Sequence, residues 1–250
     1  MNCRNLCKTF QAADPFLSYK TAITERPENS RAGRRSKRSV GLYSKLWKNF
    51  RTLSVCFLDD LSEDDKQAFK RVIWKWAKLT NLNIVFVSSL AATIRIKTNT
   101  QENISAIGTD ALLAAPGEPT TWIAEKPGSK LFEATVLHEF GHVLGLQHEH
   151  LHPEANIPWN KSKVRDHYAA FGWSREEIDR NFFDPIDELR PVLTDYDRMS
   201  IMHYPIDKAF TDGLLEVGMN MTLSEEDIRL VRAVYPETPS ESPDDPSYRP

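Results

Sequence analysis

The chain has 250 residues, 40% apolar and 27% charged, an ordinary globular composition with enough length for one sizeable core or at most two small domains. No apolar run approaches the ~18–20 residues of a membrane helix, and a formal charge of −3 argues against bulk electrostatic binding of nucleic acid. The charge is uneven: residues 1–38 carry nine Lys/Arg against three Asp/Glu, and residues 39–250 carry 23 against 32.

Residues 1–38 read as a basic leader without a core, largely disordered, and the first twenty show no secretory h-region. The leader ends in Arg34-Arg35-Ser36-Lys37-Arg38, a form that proprotein-processing proteases cut, which makes it a candidate pro-segment. Three cysteines, an odd and low number, exclude a disulfide-stapled scaffold. Cys3 and Cys7 offer a redox or metal pair, but with no partner ligands near them in sequence the favoured reading is two thiols in a disordered leader. Cys56 reads as an inert strand residue.

Residues 52–58 predict a strand. Residues 62–79 predict a helix, with Ser62 as N-cap, acids in its first turn, and Phe69, Val72, Ile73 and Trp76 at helical spacing. Strands follow at 82–87, at 92–97, where Ile94 and Ile96 alternate with Arg95 and Lys97, and within 104–114, with a bend at Gly108. After turns at Pro116-Gly117 and Pro127-Gly128, a helix is expected from about Ser129 to Gly145. Further helices are expected at 161–171 and 174–182, and a last one, capped by Ser224, runs to about Val234. Residues 237–250 read as a Pro-rich disordered tail.

All seven histidines lie between 138 and 203. Residues 138–148 read His-Glu-Phe-Gly-His-Val-Leu-Gly-Leu-Gln-His. On a helix, His138 and His142 stand one above the other, able to share one tetrahedral ion. Val136, Phe140, Val143 and Leu144 gather on the opposite side. Glu139 points away from both, placed to reach a metal-bound water without ligating. Gly145 can end the helix in the left-handed conformation, letting His148 return as third ligand. His150 and His152 are alternative third ligands; Gly145 and the spacing favour His148. His167 and His203 read as structural, and Asp195 and Asp197 as turn residues rather than calcium ligands.

This segment resembles the long zinc-binding signature of the metzincin metalloproteases. The downstream turn with a methionine is present as Ser200-Ile201-Met202-His203-Tyr204. Glu149 after the third histidine, the Met-His-Tyr turn and the preceding Tyr196-Asp197 make the closest resemblance astacin-like (peptidase family M12A-like), over roughly residues 40–236.

The resemblance implies an α+β, zincin-like catalytic domain over residues 39–236. Its twisted mixed sheet, mostly parallel, carries an active-site helix and a backing helix, and an irregular C-terminal subdomain ends in a helix. It implies one catalytic Zn2+ on His138, His142 and His148, with Met202 as an apolar floor. Glu139 would be the general base and then the acid. Tyr204 would be a further ligand at rest that swings to the oxyanion, and Glu149 an anchor for a mature N-terminus at Ser39. It also implies an extended protein or peptide substrate along an edge strand within 105–114, hydrolysed by a metal-activated water. A monomer is expected, with no membrane span and no nucleic acid. Secretion is compatible with the resemblance, but no signal peptide is visible, and the sequence leaves the compartment open. The chain departs from the pattern in lacking the four disulfide-bonded cysteines, so it resembles a cysteine-poor relative. The alternative is a catalytically weak zinc- and peptide-binding relative of the proteases.

Overall fold

In the computed structural model, residues 7–10, 12–30, 44–184 and 195–237 are described. The residues 52–58 run forms strand β2 (Thr52–Phe57), with Leu53, Val55 and Cys56 buried. Helix α2 (Glu63–Ala77) starts where Ser62 accepts the backbone N–H of Asp65 at 3.1 Å, and buries Phe69, Val72, Ile73 and Trp76 as its period requires. The next strands are β3 (Asn83–Phe86), β4 (Ile94–Lys97), β5 (Asn103–Ala106) and the short β6 (Thr121–Trp122).

The strand expected over 104–114 is cut short. After Ala106 the chain turns into a 3-10 segment, Gly108–Leu113. Gly108 adopts φ +47°, and a Cβ there would collide with the Lys45 carbonyl, so strand geometry ends at this glycine.

The leader is the main correction. Residues 1–38 were expected to lack structure, yet they supply strand β1 (Cys7–Phe10), helix α1 (Pro15–Glu25) and a 3-10 turn, Pro27–Ser30. The reason is tertiary. β1 is four residues long and weakly apolar, and gains its hydrogen bonds by pairing with β5, Cys7 opposite Asn103 and Phe10 opposite Ala106. Helix α1 is capped by Asp14, whose carboxylate accepts two N–H groups, and Asn29 is buried with its amide donating to the carbonyls of Ala22 and Leu46 at 2.9 Å. The basic run 34–38 and the tail after Glu237 lie outside the described residues.

The sheet has the order β1-β5-β6-β4-β2-β3. Strands β2, β3, β4 and β6 are parallel neighbours, β5 is antiparallel to β6, and β1 is parallel to β5. The sheet is therefore mixed, with β1 covering what would otherwise be the β5 edge. Helix α3 (Phe132–Val143) packs against both the sheet and α2, and Trp76 donates its indole N–H to the Leu137 carbonyl at 2.9 Å. Beyond it, α4 (Lys161–Ala169), α5 (Arg175–Phe182) and α6 (Glu225–Val234) belong to a less regular part. A second apolar cluster there includes Val164, Tyr168, Ile178, Phe182 and Tyr204, and Cys7 joins it.

Candidate metal centre

Helix α3 ends in a glycine cap that sets up the site. Gly145 takes φ +94°; its N–H donates to the His142 carbonyl, and the next N–H, of Leu146, donates back to Gly141. The reversal brings the Leu146 carbonyl to 2.8 Å from His142 Nδ1 and returns His148 toward the helix. His138 Nδ1 meets the Ile201 carbonyl, also at 2.8 Å. A carbonyl only accepts, so both Nδ1 atoms carry the proton and both Nε2 atoms present lone pairs.

Those lone pairs converge. His142 Nε2 and His148 Nε2 face each other at 3.0 Å, and His138 Nε2 is buried with no hydrogen-bond partner. Three inward-facing imidazole nitrogens, two anchored through their far nitrogen to backbone, fit a divalent cation of zinc type. Among the described residues, the group with metal-binding geometry is Cys7, His138, His142 and His148, whose ligand atoms all lie within 4.8 Å of one another.

His148 thus fills the third position, and neither His150 nor His152 belongs to the group. The His150 ring lies 4.2 Å from that of Tyr204, and its Nε2 meets the Asn181 carbonyl at 2.7 Å. His203 donates from Nδ1 to the Tyr204 carbonyl and accepts the Tyr196 hydroxyl at Nε2. The spare histidines pack and tie loops.

Met202 is buried beneath α3, and a Cβ at Gly141 would collide with its Sδ. Gly141 is therefore the notch that lets the methionine turn approach the helix carrying the histidines. The turn is held by Asp227, whose carboxylate accepts from the Ser200 hydroxyl at 2.6 Å and the Ile201 N–H at 2.8 Å. The Met202 carbonyl takes the N–H of Glu149 at 3.0 Å, linking the floor to the third-histidine loop. Glu149 itself accepts the Asp197 N–H at 3.2 Å.

Glu139 is 1% exposed, and burial pushes its carboxyl up to about 8, partly offset by the Cys7 thiol at 3.1 Å. Tyr204 is buried, and its hydroxyl donates to the Cys7 carbonyl. Cys7 is the residue that sequence reasoning missed. The side chains that meet it, Glu139 and Tyr204, lie more than a hundred positions away, and the local signal was the β-forming Thr9-Phe10 beside it.

Burial holds His138 down to about 4 and His142 to about 3, and His203 also to about 4, from the ordinary 6.5. A histidine with a depressed folded-state value binds more protons when unfolded, so stability rises with pH through that window. The metal-free protein should therefore lose melting temperature steadily as pH falls from 6.5 toward 4. Calorimetry of the chelated protein checks this; a flat profile would contradict the burial assigned to these rings.

Comparison with known proteins gives a consistent result. The family model for Astacin (Peptidase family M12A) matches residues 40–236. The zinc metalloproteinase nas-39 of Caenorhabditis elegans is 31% identical over 118 residues, covering 40% of this chain. The chain spans only 11% of that relative's length. Among solved structures, one of myroilysin is 34% identical with TM-score 0.72, covering 78% of this chain and 97% of its own. A second structure of myroilysin is 29% identical with TM-score 0.63, covering 93% and 91%. The hatching enzyme HCE-1 of Oryzias latipes, a zinc-protease, matches at 16% identity and TM-score 0.53 over 76% of this chain and 94% of its own, a likeness of fold.

Proposed function

The chain belongs to the astacin family, peptidase family M12A, and from that premise we propose that it is a zinc-dependent metalloendopeptidase cutting extended protein or peptide substrates. The observation that carries this reading is the convergence of three imidazole nitrogens beside a buried, non-ligating carboxylate. His138, His142 and His148 hold the zinc, which when bound supplies Lewis acidity toward the scissile carbonyl and its attacking water. Glu139 takes the proton of that water and returns it to the leaving amine. Burial raises its carboxyl in the metal-free site, and the charge of a bound zinc would draw it back toward the ionised form that a base needs. Tyr204 offers a hydroxyl donor beside the histidines, suited to an oxyanion once it leaves the Cys7 carbonyl. Met202 sets the depth of the histidine cluster by seating against Gly141.

Glu149 we assign to anchoring a new N-terminus. Glu149, Asp197 and Asp227 line one cavity with Leu146, Met202 and Leu230, and Asp197 Oδ2 is buried there without a hydrogen-bond partner. An ammonium group, such as the Ser39 amine freed by a cut after Arg38, matches this acidic lining. The weak, binding-only reading is not favoured, because Glu139, the group whose loss most simply disables the chemistry, is present.

The test is cleavage of unfolded casein by chain cut within residues 34–38, with and without a zinc chelator. Cleavage that the chelator abolishes and added zinc restores is the expected result. Cleavage indifferent to the chelator would refute the zinc mechanism, and no cleavage under any condition would refute the peptidase reading.

A further inference from the structure

One lysine of the leader sits in a seat built by the body. β1 pairs with β5, and Lys8 lies opposite Ile104. The Lys8 ammonium donates to Glu102 at 3.1 Å and lies 3.8 Å from Glu177. It also stands 4.6 Å from the centroid of the Trp173 indole, within cation–π range. The Lys8 side chain is 19% exposed, against 56% for Glu102 and 38% for Glu177, so the lysine is the inserted member and the carboxylates form the rim.

The walls of this seat are held by the body. Glu177 is fixed in the capping box of α5, where its Oε2 accepts the Ser174 N–H at 2.8 Å and its Oε1 is the oxygen that faces Lys8. The Trp173 ring packs 5.4 Å from Tyr168 and 6.2 Å from Phe182, in the second apolar cluster. Glu102 directly precedes β5. In chain freed of its leader, an indole face and two carboxylates are left side by side with no lysine between them.

Resting on the peptidase reading above, we propose that Trp173, Glu102 and Glu177 form a substrate subsite for a cationic side chain, lysine or arginine, within two residues of the cut bond. A peptide added to β5 as a strand takes the track that β1 takes. Lys8 is next in sequence to Cys7, whose Sγ lies within 4.8 Å of the three converging histidine nitrogens. A substrate with its scissile carbonyl at the metal therefore places a near neighbour opposite Ile104, and chain direction decides on which side of the cut that residue falls. Arginine suits the seat as well as lysine, because a guanidinium stacks on an indole and bonds carboxylates. An acidic side chain would meet two carboxylates. Two part-exposed ion pairs and one cation–π contact together favour a cation by on the order of tenfold.

The experiment has two arms, both on chain cut within residues 34–38 and freed of its leader. With zinc present, quenched peptides carry Arg, Gln or Glu at each position within two residues of the cut. One position should favour Arg over Gln by on the order of tenfold in kcat/KM, with Glu poorest. In Glu102→Gln/Glu177→Gln that gap should close while cleavage of the Gln peptide stays unchanged; an amide oxygen at 177 still accepts the Ser174 N–H. With chelator present, so that nothing is cut, fluorescence polarisation compares a synthetic peptide of residues 5–12 with its Lys8→Gln and Lys8→Glu forms. The same tenfold gap is expected, and the same loss of it in the double variant. If peptides are cut without a preference that the variant removes, the seat serves the leader's lysine alone and the proposal is overturned. If nothing is cut, the peptidase reading fails and binding decides: a gap that the variant closes keeps the cationic subsite, and no gap overturns it.

Discussion

Glu139→Gln, in chain freed of its leader, is expected to lower peptide cleavage by about 10²–10⁴-fold, the usual contribution of a general base. Zinc content should remain near one ion per chain. The substitution keeps size and removes the proton-accepting charge. Glu139 lies 1% exposed beside the three histidines, with its carboxylate spent on no salt bridge among the described residues. A structural carboxylate would show its loss in melting temperature. A catalytic one shows it in turnover. Steady-state kinetics and zinc analysis on the same sample separate the two. Retained turnover would remove Glu139 from the mechanism.

His142→Ala should have the second large effect, a fall in zinc affinity of more than about a hundredfold, since even an outer partner of a zinc ligand is worth about 10–100-fold. His142 is fully buried; its Nδ1 is fixed by the Leu146 carbonyl, and its Nε2 faces that of His148 at 3.0 Å. Removing it leaves two ligands and a void in the helix-end packing. His150→Ala, by contrast, should keep zinc, because that ring is tied to the Asn181 carbonyl and lies outside the convergent group. Competition against a coloured chelator measures both. Equal zinc affinity in the two variants would contradict the ligand assignment.

The site was legible wherever the chemistry is local. The four-residue step between His138 and His142 needs only a helix, and Gly145 carries the φ of +94° that brings His148 back. Helices α2 and α6 announced themselves through Ser62 and Ser224, both of which accept the expected backbone N–H. By helix propensity alone Gly141 inside α3 costs about 1 kcal/mol; its reason, the sulfur of Met202 against it, is a contact with a residue 61 positions downstream. The leader was the least legible part. Four residues of weak strand preference become a strand because β5 offers an edge, and Cys7 meets Glu139, 132 positions away in sequence, only through that pairing. Local pattern carries no trace of such pairings.

On the proposed reading, one zinc ion on His138, His142 and His148 makes this chain a peptidase. The most direct measurement is a zinc titration of metal-free, leader-cut protein, following cleavage of a quenched peptide at each addition. Activity should rise in proportion to zinc and break at one ion per chain, with Glu139→Gln binding the same single ion and staying silent. Activity already full before zinc is added, or full zinc binding with no activity in the wild type, would contradict it.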